Sequence, residues 1–328
     1  MDDTPSPAAS ASFGLRWGLC CQFRDRPVKF RQATHRYLAT LDAHARRRRL
    51  AELAQANAAS LALAVEICAG LGIGAFRITS QLLPLATHPE SGYRLAELDG
   101  GEALVAAYRA AGRLAAERDV RLSFHPDQFV VLNSERESTV AASVRELDHT
   151  AELCDLLGAE AMTVHAGGAA GGTAAALDRL ARGLDRLGDR ARALVALEND
   201  DRLFAPADLL PLCRAAHVPL VYDVHHHRCH PDGLSVADAT DAAAATWGGH
   251  EPWTHLASPR DGWDVPNPRP HAGLVDLADF PDAWLGRRMT IDVEAKDKEV
   301  AVLAIRDAVR TMAGTARRAR RARRAPAQ

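Results

Sequence analysis

The chain has 328 residues, 47% of them hydrophobic, and its 42 acidic against 40 basic residues leave a net charge of −2 with histidines neutral. This is a soluble, globular composition, long enough for one large barrel or two ordinary domains. The charge balance excludes a binder that holds nucleic acid by overall positive charge. Two local runs are basic, Arg46–Arg49 and TARRARRARRAPAQ from Thr315, and such runs are solvated and attract phosphate non-specifically. No apolar run approaches the roughly 18–20 residues of a membrane span. The acidic, Pro/Ser-rich start MDDTPSPAASAS is unlike a signal peptide. Six cysteines without a CxxC pair read as reduced thiols. These features together predict a cytoplasmic chain, with a disordered lead at 1–12 and a disordered basic tail at 314–328.

In chain order, short apolar runs alternate with longer stretches of helical period. GLRWGLCC predicts a first strand, followed by the helix RRLAELAQANAASLALAVEICAGL. AFRIT is a second strand, followed by GEALVAAYRAAGRLAAERD; VRLSFH is a third, followed by STVAASVRELDHTAELCDLL. AMTVH leads into AAALDRLARGLDRL, and ALVALE, PLVYD and WTHLA follow as strands. RMTIDVE closes the series before KDKEVAVLAIRDAVRTM. Eight strands with helices in most intervals predict an α/β fold, a single (β/α)8 TIM barrel over 13–313 with its active site at the C-terminal face of the strands. No GxGxxG follows the first strand, and GGAAGGT lacks the Lys-Ser/Thr of a P-loop, so neither nucleotide signature is present. Residues 247–274, rich in Trp, Pro and Gly, predict a strand with a long functional loop.

Metal-binding side chains sit at or just beyond the C-terminal end of nearly every strand. They are His88, His125, His165, Glu198, Asp223 with His226, His255 with His271 in the loop beyond it, and Glu294. A barrel brings all eight strand ends to one face, so residues more than 200 positions apart meet in one cup. One strand-end histidine alone is as readily a hydrogen-bonded core residue; the repetition is what argues for a site. The donors are imidazoles and carboxylates with no thiolate, which suits Zn, Mn or Fe. Nine candidates exceed the needs of one ion and point to two or three, with Glu198 and Glu294 as bridging acids. Ions about 4 Å apart suit in-line displacement at phosphorus. Glu198 ends a purely apolar run, where an unpaired acid is costly, so it is either a satisfied buried acid or a ligand. Within VYDVHHHRCH, turn geometry lets only one or two histidines point inward. Asp223 and His226 are the expected ligands, with His225, His227 and His230 behind them or solvated.

In this order, the strings SFHPDQFVVLNS, VHAGG, LENDD, YDVHHH and VEAKDKE, with FRITSQLLPLATH before them, resemble the UV damage endonuclease family from about residue 14 to about 310. The resemblance implies an endonuclease that incises double-stranded DNA immediately 5′ to UV photoproducts, leaving 3′-hydroxyl and 5′-phosphate ends. It implies up to three divalent ions, typically Mn with Zn or Mg as alternatives, held by the nine residues named above. It makes Gln128 and Phe129 a pair that probes the lesion, where a flat ring and a short amide fill the gap left by unstacked bases; from spacing alone Phe129 is equally a core aromatic. Lys296 is a candidate catalytic cation or a solvated helix start. Arg77 either contacts phosphate or pairs with a ligand carboxylate. The chain departs from the family at three places: Trp253 replaces a lysine that can serve as a ligand, Leu19 replaces a tyrosine near the lesion, and Phe129 lacks a hydroxyl. These departures bear on metal number and lesion range. The alternatives are a xylose isomerase-like small-molecule metalloenzyme and a damage-binding member with impaired hydrolysis. A monomer without membrane association is expected.

Overall fold

The computed structural model describes residues 14–324, so the expected lead at 1–12 and the last four residues of the expected tail lie outside it. Eight parallel strands close into a barrel in chain order. They are β1 (Leu15–Cys20), β2 (Ala75–Ile78), β3 (Arg121–Phe124), β4 (Met162–His165), β5 (Val195–Glu198), β6 (Leu220–Asp223), β7 (Trp253–Leu256) and β8 (Met289–Val293). Each lies within the run that predicted it. The α-helices among the described residues are α1 (His35–Leu38), α2 (Ala43–Leu71), α3 (Gly101–Glu117), α4 (Glu137–Leu157) and α5 (Thr173–Leu184). They continue with α6 (Asp189–Leu194), α7 (Pro206–Ala216), α8 (Val224–Cys229), α9 (Val236–Ala245) and α10 (Lys298–Arg324). Between β7 and β8 the chain makes only two 3-10 turns, so residues 247–274 form the expected strand and long loop. All six cysteines are free.

Strand alternation divides the side chains sharply, because residues in register on neighbouring parallel strands share a face. The outward set includes Leu19, Phe76, Ile78, Leu122, Phe124, Leu197, Tyr222, Leu256 and Ile291, which pack with the helices into one large apolar cluster. The inward set is different in kind. Gly18 is in register with Ala75 and Asp292, Cys20 with Arg77, Arg77 with Ser123, and His165 with Glu198. Asp223 is in register with His255, and His255 with Asp292. A barrel interior is ordinarily filled by branched aliphatics; here the apolar filling is a small cluster of Ala75, Ala161, Ala196, Val221, Trp247 and Trp253 at the strand starts.

Trp253 belongs to that lower layer, 1% exposed, with the Arg121 guanidinium 4.5 Å from the centre of its ring. Arg121 and Arg16 both pair with Glu251, at 3.3 and 3.1 Å, and Arg121 donates to Thr290 at 2.6 Å. The floor of the barrel is thus an indole capped by a charge network.

Two expectations change. α10 continues through Gly314 and Thr315 to Arg324, so residues 314–324 are helical rather than a disordered tail. Alanine and arginine are both strong helix formers, and alternating them propagates the preceding helix. α2 is long and apolar enough, by length and composition alone, to cross a membrane, contrary to the reading of its sequence. Its Leu50, Leu53, Leu61, Val65 and Cys68 are buried within the fold.

Replacing Trp253 with alanine opens a cavity under the barrel and strips Arg121 of its ring. We expect a loss of about 3–5 kcal/mol in unfolding free energy, measured by urea denaturation of metal-free chain; a loss under about 1 kcal/mol contradicts the plug role.

Candidate metal centre

The centre is built around Glu198, the last residue of β5, whose side chain is fully buried. His125 Nε2 lies 3.0 Å and His165 Nδ1 3.4 Å from its Oε2. His255 Nδ1 lies 2.8 Å and His226 Nδ1 3.5 Å from its Oε1. These four imidazoles come from the ends of β3, β4 and β7 and from α8 after β6, so the barrel supplies them from separate stretches of sequence.

The run VHHHRC resolves itself by a change of element. β6 ends at Asp223, which becomes the N-cap of α8: its carboxylate accepts from the His226 backbone N–H at 2.8 Å. A capping contact of this kind links the cap to the third helical residue, and it puts His226 Nδ1 3.4 Å from Asp223 Oδ2. Its neighbours are turned elsewhere. His225 is buried with Nε2 3.1 Å from the Arg269 carbonyl. His227 is braced between the Tyr222 hydroxyl at 2.7 Å and Asp232 at 2.9 Å. His230 ends the helix. Asn199, directly after Glu198, exchanges two 2.9 Å hydrogen bonds with the Asp223 backbone. Asn199 escaped the sequence reading, although a buried amide directly after a buried acid in LEND was the available signal.

On the other side, Glu294 follows β8, with Oε1 3.4 Å from His255 Nδ1 and Oε2 3.7 Å from His271 Nδ1. Arg77 donates to Glu294 Oε1 at 2.5 Å. Of the two roles open to it, Arg77 therefore takes the one that pairs it with a carboxylate inside the barrel.

The charges are strongly interdependent. Burial alone would raise the Glu198 carboxyl, but His255 and His165, with hydrogen bonds from His125 and His255, hold it well below the usual range. Burial opposed by Arg77 and His255 does the same for Glu294. Burial lowers His125. His226 and His255 go the other way: burial disfavours their charge, but Asp223, Glu198 and Glu294 at His226, and Glu198 and Glu294 at His255, outweigh it and push each up to about 9.

Three groups of donor atoms each lie within 4.8 Å of one another: His125, His165, Glu198; Glu198, Asp223, His226; and Glu198, His255, Glu294. Glu198 is common to all three. Asp223 Oδ2 is buried without a hydrogen-bond partner. Clustered acids and imidazoles with unused lone pairs fit divalent cations with nitrogen and oxygen ligands.

Several expected site residues stand apart. His88 belongs to none of these groups among the described residues; its Nδ1 accepts from the backbone N–H groups of Glu90 and Ser91, and its ring stacks on His35 at 4.3 Å. The tight turn after Leu85, which has φ of 64°, accounts for this placement. Lys296 is exposed, beside Asp261 of the long loop. Leu19 is fully buried in the outer apolar shell, because alternation turns Cys20 inward; it cannot probe a lesion. Gln128 is exposed and Phe129 is 78% exposed, so Phe129 is not a core aromatic. It borders a cavity of about 730 Å³ shared with His35, Pro84, His88 and Arg145.

The sequence profile of the family described as UV-endonuclease UvdE matches residues 16–321. A UV DNA damage endonuclease of Deinococcus radiodurans is 36% identical over 305 residues, covering 88% of this chain and 94% of that protein. The crystal structure of SacUVDE superposes with a TM-score of 0.79 at 25% identity, covering 91% of this chain and 99% of that one. Endonuclease IV from Thermus thermophilus shares the fold, with a TM-score of 0.57 at 20% identity over 90% of this chain and 99% of its own.

The raised histidines set a pH signature. A group with a raised folded value stabilises the fold below its unfolded value of about 6.5 and loses that contribution as pH climbs through the folded value. Metal-free chain is therefore expected to lose melting temperature between pH 6.5 and about 9, as His226 and His255 deprotonate. Protons and cations compete for the same nitrogens, so divalent-ion affinity rises over that window. Thermal melts and ion titrations at both ends check it; two flat profiles contradict the assignment.

Proposed function

This chain belongs to the UV-endonuclease UvdE family, and on that premise we propose that it incises double-stranded DNA immediately 5′ to UV photoproducts. The proposed products carry 3′-hydroxyl and 5′-phosphate ends, and the proposed cofactor is two or three divalent ions, Mn foremost. The observation that carries this reading is Glu198, one buried carboxylate reached by four imidazoles and common to three donor groups. Divalent ions bound there supply Lewis acidity, lowering the pKa of an attacking water and offsetting charge at phosphorus.

The chain's own residues do the rest. Glu198 draws the donors of β3, β4, β6 and β7 to one point, and its low pKa keeps it an anion at neutral pH. Asp223 and His226 are held as a unit by the cap of α8 and by Asn199. Arg77 neutralises part of Glu294 and fixes its direction. Gln128 and Phe129 stand clear of the fold on the loop after β3, anchored by buried Val130 and Leu132, where a ring can enter a gap between unstacked bases. Trp253, in the floor layer under Arg121, takes no ligand role, which favours fewer ions than the family maximum.

UV-irradiated supercoiled plasmid with Mn²⁺ tests the proposal: we expect conversion to nicked circles, with undamaged plasmid intact. Glu198→Ala is expected to lower the incision rate by on the order of 10²–10³ or more while far-UV circular dichroism stays native. Parental rates in that variant, or damage binding by the parent without nicks at saturating Mn²⁺, defeat the reading. Phe129→Ala is expected to retain Mn²⁺ binding and lose at least about tenfold in preference for damaged over undamaged duplex, a stacking contact being worth about 1–3 kcal/mol; competition binding measures it.

A further inference from the structure

Asp292 is an acid that neither the strand-end pattern nor the donor groups account for. It lies in β8, in register with His255 of β7 on one side and with Gly18 of β1 on the other, and it is 1% exposed. Its Oδ1 has no hydrogen-bond partner. A Cβ at position 18 would come 2.1 Å from that oxygen, so the carboxyl leans across β1 and glycine is what leaves it room. An unpaired buried acid is a liability for stability alone, and one with a space prepared for it in the next strand calls for a different explanation.

Other buried polar atoms of the inward face share its condition. His255 Nε2, Arg77 Nε, Ser123 Oγ and Trp253 Nε1 are all buried without a partner, and register puts their residues on the inward face with Asp292. Arg77 and His255 are close enough to pull on the Asp292 charge, although burial still raises its carboxyl above the ordinary range. His255 commits Nδ1 to the carboxylates above, 2.8 Å from Glu198 and 3.4 Å from Glu294. Its other nitrogen is the one left free. An imidazole that ligates through one nitrogen needs an acceptor at the other, which fixes both ring and tautomer.

We propose that Asp292 is a positioning residue of the centre, accepting from His255 Nε2–H through one ordered water and so holding Nδ1 toward Glu198 and Glu294. Arg77, whose charge acts on Asp292, offers such a water a further donor. The inference rests on reading the donor groups as an ion site.

Mn²⁺ titrated into the full chain and followed by electron paramagnetic resonance tests it, with Asp292→Asn, His255→Ala and the double variant. Asp292→Asn is expected to weaken Mn²⁺ binding by about 10–100-fold. In the His255→Ala background the same change is expected to add nothing, because it acts through that ring. The metal-free melting temperature of Asp292→Asn is expected to stay level or rise, whereas an acid kept for structure alone would lower it on removal. Parental affinity in Asp292→Asn, an undiminished loss in the His255→Ala background, or a fall in metal-free melting temperature overturns the inference and leaves the proposed function standing. A parent chain that binds no Mn²⁺ overturns both.

Discussion

A single carboxylate at the centre of the barrel mouth sets the terms for the rest of the molecule. Glu198 has been taken out of water at the end of an apolar strand, and a lone anion there is prohibitively costly. The fold answers with four imidazoles, three from strand ends and one from α8, and His226 and His255 in turn face Asp223 and Glu294, the latter paired with Arg77. Remove the central charge and His255 and His226 lose part of what raises their proton affinity. Remove the histidines and the carboxylate has nothing to face. The inward face is therefore a mutual arrangement of charges, with the cohesion of the barrel supplied from outside it by the strand–helix shell.

That division assigns separate tasks to the two ends of the barrel. At the strand starts, Trp253, Arg121, Arg16, Glu251 and Thr290 form a closed floor of aromatic contact and ion pairs. At the strand ends, the donors face outward to the loops. Functional groups at the C-terminal rim and stability at the opposite end is the usual economy of this architecture. Here the boundary runs through β7, where Trp253 belongs to the floor and His255, two residues on, belongs to the mouth.

All eight strands were legible, because short apolar runs separated by helical periods leave little alternative to a parallel barrel. The strand-end rule brought seven of the nine expected ligands to one place: His125, His165, Glu198, Asp223, His226, His255 and, through Glu294, the outer edge of the group. His271 is at that edge, and His88 is not there, since a histidine ten residues beyond a strand answers to loop geometry rather than to register. The order within HHH was readable only in outline. It depends on Asp223 ending a strand and starting a helix at once, a tertiary decision that no local period announces. Leu19 was misplaced because a family position was carried over without counting alternation from Cys20. Asp292 and Asn199 were overlooked for a related reason: each is a polar neighbour of a conspicuous acid, and only the register shows what it faces.

The donors around Glu198 are drawn from β3 through β8, and Glu294 is encoded nearly a hundred residues after it. A chain still emerging from the ribosome therefore carries many of the histidines long before it owns the cage. Until the final strand pairs with the first, those imidazoles are scattered on an unfinished sheet. Assembly of the donor group is thereby postponed to the moment the ring is sealed.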